Sequence, residues 1–459
     1  MGSTIMKKTV VIDVVGLSSS LIGVHTPFLQ AYVKQHQLRT IHPMVPAVTT
    51  AVQSTYVTGQ WPAEHGIVGN GWYDRQDSEV KFWKQSNKLV EAPKIWDKAK
   101  RLDPAFTCSK MFWWYNMYSS ADYSVTPRPQ YLSDGRKAPD CYANPASLRD
   151  HLQRELGTFP LFQFWGPGAN IKSTQWIADA SVMTDGLYDP TLTLIYLPHL
   201  DYCLQKFGQD LGKINKELGE VDGVVKQLVT YYEQKGAEVI ILSEYGITNV
   251  NNPIHLNRIF RQEGLIAVRE ERGTELLDAG ASKAFAVADH QVAHVYINDP
   301  SVYKKVRGIL ERTPGIQLVL DREGKRAHNM HHARSGEFVV VADTNSWFTY
   351  YYWMDDQRAP DFARLVDIHR KPGYDPVEMF MNPADPLIKL KAGFKLLKKK
   401  LGFRYLMNVI PLDATLIRGS HGGVGEGSQY HPVLITKPTG KADPVQATDI
   451  YNIIWNTMV

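Results

Sequence analysis

Cysteine is scarce in this chain. Cys108, Cys141 and Cys203 are widely spaced and odd in number, so neither a disulfide framework nor a Cys-x-x-Cys metal knuckle is present. An excess of either charge is also lacking. The 459 residues carry 51 basic and 47 acidic side chains, and a net +4 is too small to argue for a nucleic-acid polymer as partner. No uninterrupted apolar run is long enough to cross a bilayer. Met1–Lys8 leads into a strand pattern without the apolar core and cleavage site of a signal peptide, which gives the expectation of a cytoplasmic protein. Repeats and low-complexity tracts are absent too. The remainder is an ordinary globular composition, 44% apolar and 21% charged. Its length suits one large α/β domain or a core carrying a smaller one.

Three apolar runs end in acids. Thr9–Gly16 contains Asp13, Leu192–Asp201 closes on Asp201, and Ala237–Gly246 closes on Glu244-Tyr245. Continuous Val/Ile/Leu runs are the signature of parallel strands covered on both faces, and open α/β sheets bind ligands beyond the carboxyl ends of such strands. Three acids delivered there point to a metal site rather than coincidence; for Asp13, capping of the next helix is the alternative. Between the second and third runs, Gly212–Lys235 repeats apolar residues at helical spacing (Ile214, Leu218, Val221, Val225, Leu228, Tyr232) and predicts a long amphipathic helix.

The stretch Pro46–Gly59 follows a short strand-like run (Arg39–His42) and carries a cluster of hydroxyls. A hydroxyl at a helix N-terminus meets free backbone N–H groups and the positive end of the helix dipole, which suits Thr49 or Thr50 for chemistry on an anion; simple capping is the alternative. Late in the chain, Ser420-His421-Gly422-Gly423 sets a histidine among glycines that let the backbone approach an ion closely. His290, His294, His331 and His332 are further metal-ligand candidates, with packing or surface roles as the alternative. Phe112–Tyr118 is dense in aromatics and reads as core or pocket lining. Pro127–Ala143 reads as a long loop. Lys389–Lys400 is a basic amphipathic segment, read as a solvated helix face or a contact with an anionic surface.

Taken together, Asp13, Thr49…Val57-Thr58-Gly59, Pro62…His65-Gly66-Ile67…Asn70, Asp201…Gly208, Glu244-Tyr245-Gly246 and Ser420-His421-Gly422 resemble the alkaline phosphatase superfamily. The likeness is to its nucleotide pyrophosphatase/phosphodiesterase branch, with phosphonoacetate hydrolase as a relative. The resemblance implies an α/β fold with a mostly parallel central sheet, helices on both faces and an inserted smaller cap subdomain. The expected division is a core first part over 6–257, the cap over 258–343 and the closing part of the core over 344–459. It implies a metal-dependent hydrolase of phosphoesters or phosphodiesters acting on a small phosphorylated organic substrate. In that family a metal-bound threonine attacks phosphorus, a role that falls on Thr49 with Thr50 as substitute. An asparagine matching Asn70 holds a phosphoryl oxygen. One metal position corresponds to Asp13, Thr49, Glu244 and Tyr245, the other to Asp201, Gln205 and His421.

The chain departs from its family at three of these positions. An Asp-His pair is replaced by Glu244-Tyr245, and a histidine is replaced by Gln205. Zinc is the cofactor by resemblance, yet losing two imidazoles for oxygen donors shifts the set toward manganese or magnesium, or toward one occupied position. The same departures leave room for a degenerate member that binds a phosphorylated ligand or partner without turnover. Sulfate or phosphonate hydrolysis on the same scaffold is a third possibility. Oligomeric state is not legible.

Overall fold

The computed structural model describes residues 6–438 and 444–459. Of the stretch Met1–Lys8, the first five residues lie outside the described ones. Eight strands build the central sheet: β1 (Thr9–Val14), β2 (Gln37–Thr40), β3 (Cys108–Met111), β4 (Tyr123–Pro127), β5 (Cys141–Asn144), β6 (Leu192–Leu197), β7 (Glu238–Leu242) and β8 (Val433–Thr436). Their order is β2-β8-β7-β1-β6-β3-β4-β5. The five from β7 to β4 run parallel, and β8, β2 and β5 join antiparallel at the margins. This is the mostly parallel α/β sheet expected from the unbroken apolar runs, all six residues of β1 being buried.

Helices cover both faces. On one side lie α1 (Thr49–Thr58) and α6 (Asp449–Met458). On the other lie α2 (Ile171–Tyr188) and α4 (Leu211–Gln234), the second within one residue of its predicted bounds. Strand alternation then decides where the acid on β1 goes. Val10 and Ile12 join the core under α2 and α4, whereas Val11 joins the core under α1. Asp13, two residues past Val11, therefore faces the α1 side. Helix α3 (His199–Phe207) follows β6 directly and carries Asp201 and Gln205. Among the described residues no helix is long and apolar enough to cross a membrane.

A second sheet of four antiparallel strands has the order Ala284–Asp289, Val292–Ile297, Phe338–Ala342, Ile316–Leu320. The turn joining its first two strands abuts the His421 loop, Gln291 N–H donating to the His421 carbonyl at 2.8 Å. The 127–143 segment differs from the loop expected there. Gln130–Tyr131 pairs with Lys137–Ala138, and β5 extends the main sheet. Polar composition hides β5: its residues alternate buried and partly exposed, and Asp140 just before it is gripped by Arg149 (2.8 and 2.6 Å), Gln153 (2.8 Å) and Gln130.

Candidate active site

Segments distant in sequence meet beyond the carboxyl ends of β1, β6 and β7. Thr49 is the first residue of α1, entered from an extended Val48. The backbone just before it is held by the His421 loop: Ala47 N–H donates to the Gly422 carbonyl (2.9 Å), and the Ala47 carbonyl accepts from His421 Nδ1 (2.7 Å). Two neighbouring hydroxyls then divide the work. Thr50 Oγ1 donates to the Gly69 carbonyl (2.8 Å), so it is committed to structure. Thr49 Oγ1 instead lies 3.1 Å from the Tyr245 hydroxyl. Asn70 is fixed on every side. Its Oδ1 accepts from Thr50 N–H (3.1 Å), while its backbone N–H and Nδ2 donate to the two carboxylate oxygens of Asp289 (2.8 and 3.0 Å). One Nδ2 hydrogen is left over, aimed by these bonds.

Behind Thr49, Asp13 and Glu244 form a buried acidic pair. Gln53 Nε2 donates to Glu244 Oε1 at 2.5 Å. Both oxygens of Asp13 and Oε2 of Glu244 have no hydrogen-bond partner. Burial raises the Asp13 carboxyl well above its ordinary value, and the charge of Glu244 raises it further. Burial raises Glu244 too. Just past Glu244-Tyr245, Gly246 packs directly against the backbone of Tyr430. A Cβ at that position would lie 1.5 Å from the Tyr430 carbonyl oxygen, so only glycine fits.

On the other side of Thr49 runs a hydrogen-bonded chain. Tyr374 donates to Gln205 Oε1 (3.0 Å), Gln205 Nε2 donates to Asp201 Oδ2 (2.8 Å), and Tyr245 donates to Asp201 Oδ1 (3.3 Å). His421 Nε2 lies 3.6 Å from Asp201 Oδ1 with no hydrogen bond of its own. Tyr245 stacks on one side of this imidazole, and His290, itself stacked on Tyr374, lies against it at 3.7 Å. Burial lifts Asp201 to about 7, with Glu244 adding to the effect, and holds His421 neutral, its value lowered to about 3. Thr49 is 3% exposed, so this corner is nearly closed to solvent.

Among the described residues, no group of three or more His, Cys, Asp or Glu side chains is arranged to hold a metal ion. The two family positions fare differently. At the first, three orphaned buried carboxylate oxygens beside the Thr49 hydroxyl fit one hard divalent cation, because unpaired buried carboxylates need a proton or a cation. At the second, Asp201 already accepts from Gln205 and Tyr245, and the Gln205 oxygen is taken by Tyr374. Of that position's three residues only His421 keeps a donor without a partner, Nε2; His290 Nδ1 beside it is also unpartnered, but no group of three ligands assembles among the described residues, so the position does not fit a metal as it is built.

Several residues join the site unannounced by sequence. Asp289 orients Asn70, Gln53 bonds Glu244, and Tyr374 continues the Asp201 chain. Asp289 ends the buried run Ala284–Ala288, the same acid-after-apolar-run pattern that marks Asp13 and Glu244. His290 lies at the site, but His294 is engaged with the Val68 carbonyl (2.9 Å) and the Gly336 N–H (3.2 Å). His331 is exposed, and His332 pairs with Glu91 (3.1 Å). Phe112, Trp113, Trp114 and Tyr115 are buried core.

Comparison with known proteins gives one family match and several relatives. The type I phosphodiesterase / nucleotide pyrophosphatase family matches residues 9–375. An uncharacterized pyrophosphatase/phosphodiesterase of Schizosaccharomyces pombe is 26% identical over 261 residues, covering 53% of this chain and 43% of that protein. Ectonucleotide pyrophosphatase/phosphodiesterase 2 of Saccharomyces cerevisiae is 24% identical over 391 residues, 78% of this chain and 69% of that one. The chain thus spans less than half of the first relative's length. In fold it is similar to phosphonoacetate hydrolase from Sinorhizobium meliloti in complex with phosphonoacetate (TM-score 0.62, 13% identity, 98% of this chain and 95% of that one). It is also similar to an inactive variant of murine ectonucleotide pyrophosphatase/phosphodiesterase 5 in complex with AMP (TM-score 0.59, 15% identity, 98% and 94%).

Proposed function

Because the chain belongs to the type I phosphodiesterase / nucleotide pyrophosphatase family, we propose that it hydrolyses phosphoesters or phosphodiesters of a small organic molecule, with Thr49 as nucleophile. The supporting observation is the division of labour at the start of α1. The Thr50 hydroxyl is committed to Gly69, while that of Thr49 faces Tyr245, with Asp201 beyond. Thr49 Oγ1 forms the new bond to phosphorus as the ester P–O bond breaks and the leaving oxygen takes up a proton. The Thr49 proton leaves along the Tyr245 hydroxyl toward Asp201 Oδ1. The aimed Nδ2 hydrogen of Asn70 and the N-terminus of α1 hold the non-bridging phosphoryl oxygens. Water then hydrolyses the phosphothreonine. Asp13 and Glu244 would hold a single divalent cation, manganese or magnesium rather than zinc on this oxygen donor set, whose chemistry is to lower the pKa of a bound hydroxyl and offset phosphate charge.

A second reading is favoured by the Tyr374–Gln205–Asp201–Tyr245 chain, which occupies the donors of one family metal position. On it, the chain binds a phosphorylated ligand without turnover. One experiment separates the two. Metal-free protein is reloaded with manganese, magnesium or zinc and offered aryl phosphodiesters, and AMP binding is followed by calorimetry. AMP is chosen because the murine relative was solved with it. Turnover that Thr49→Ala abolishes supports the hydrolase; AMP binding with no turnover under any metal supports the second reading.

A further inference from the structure

Helix α5 (Ile388–Lys400) and the residues around it hold the largest concentration of exposed apolar side chains among the described residues. Of twenty large apolar residues exposed among those described, nine fall between Met381 and Leu406. The same stretch, 381–408, carries seven basic residues against the single acid Asp385, an excess of six where the whole chain nets +4.

The arrangement on the helix is ordered. Leu390, Phe394, Leu397 and Leu401 recur at spacings of four, three and four and form one stripe, with exposures of 71, 59, 50 and 63%. At 100° per residue, Lys391 and Lys398 fall on one flank of that stripe, and Lys389 and Lys400 on the other. Lys398 Nζ lies 5.2 Å from the centre of the Phe394 ring, its stem along the apolar surface and its charge at the edge. The opposite face is thin: Ala392 is buried and Ile388 partly so, which anchors the helix to the body. Gly393, on the Lys389/Lys400 flank of the stripe, has nothing within 4 Å of a built Cβ, so that flank is open. Beyond it, Phe403 and Leu406 are also exposed (62 and 61%), and Arg404 lies against Gly135 of the ribbon that exposes Tyr131 and Leu132.

We propose that α5 and the segment to Leu406 form an interfacial docking surface for an anionic lipid bilayer, lying in the headgroup plane with the Leu390–Phe394–Leu397–Leu401 stripe inserted. An apolar stripe bordered on both sides by lysines matches acyl chain below and phosphate above. A second copy of this chain would bring an equal excess of positive charge against it. A nucleic acid would leave the apolar stripe wet. The surface is separate from Thr49 and does not depend on the hydrolase reading.

The test is flotation of the full chain with vesicles of phosphatidylcholine alone, and of phosphatidylcholine with phosphatidylserine at about 2:1. The protein is expected to float with the anionic vesicles and not with the neutral ones. Raising the ionic strength should release it, and the variant Leu390→Ser/Phe394→Ser/Leu397→Ser should lower the bound fraction about tenfold. Phe394→Trp supplies a readout that does not require the triple variant to fold: its emission should shift to the blue when anionic vesicles are added. No flotation at low salt, full binding by a folded triple variant, or no emission shift would overturn the proposal. So would a concentration-dependent dimer that the triple variant abolishes.

Discussion

The phenol ring of Tyr245 lies flat on the imidazole of His421, with centroids 3.5 Å apart and planes 6° apart. Asp201 accepts from this phenol and from Gln205 Nε2, which leaves His421 Nε2 as the one unpartnered donor of that family position. Elemental analysis of the purified protein is therefore expected to give one divalent ion per chain. Restoring both imidazoles with Gln205→His and Tyr245→His should raise this to two and move preference toward zinc. Two ions in the unaltered protein would remove the one-cation assignment.

Thr49→Ala should abolish aryl phosphodiester turnover, by about a thousandfold or more, while Thr49→Ser keeps measurable activity. The stability cost of Thr49→Ala should stay near 1 kcal/mol, since one buried hydroxyl contact is lost. Urea unfolding of the three proteins separates a catalytic loss from a folding loss.

Asp289 makes stability depend on pH. Burial raises its carboxyl from 3.8 to about 7, against the two Asn70 hydrogen bonds that favour ionisation. A carboxyl that holds its proton more tightly folded than unfolded stabilises the fold fully below its unfolded value, and that contribution is lost as pH rises through about 7. Asp289→Asn has no such titration. The stability difference between wild type and this variant should fall by on the order of 2–4 kcal/mol from about pH 4 to about pH 8. A flat difference would show that Asp289 is ionised throughout.

Lys371 is fully buried between Asp375 (2.6 Å) and Glu378 (2.8 Å), and Glu378 also accepts from Trp165 (2.6 Å). Removing the cation strands two carboxylates in the interior. Lys371→Ala should cost about 3–5 kcal/mol, read from denaturant midpoints. Tyr374 lies between these residues and reaches Gln205, so the variant should also disturb the site. Gly373 makes that reach feasible, because a Cβ there would lie 2.5 Å from Cβ of Tyr350. Gly373→Ala should act in the same direction.

Much of the frame was legible because parallel strands buried on both faces must be apolar throughout. β1, β6 and β7 announce themselves that way, and their terminal acids point at the site. The long helix α4 is visible from its periodicity. The polar edge strand β5 is not, since its burial alternates and its anchor, Arg149 on Asp140, is an interaction that local sequence does not encode. The Asn70–Asp289 bond spans 219 residues, and the stacking of Tyr374 on His290 depends on a loop whose path is set by the buried Lys371. Asp13, Asp201, Glu244 and His421 were readable as candidates. That Thr50 is committed to Gly69 while Thr49 is not became visible only in three dimensions.

Strand β8 sits between β2 and β7, although it is made almost two hundred residues after β7. A ribosome-bound chain that has emitted everything through α5 therefore still carries β7 with one edge unpaired, and the histidine loop that grips Ala47 has yet to emerge. Unpaired strand edges invite association with other chains. Nascent protein would need shielding until β8 is free, and the corner around Thr49 cannot close before the His421 loop has emerged.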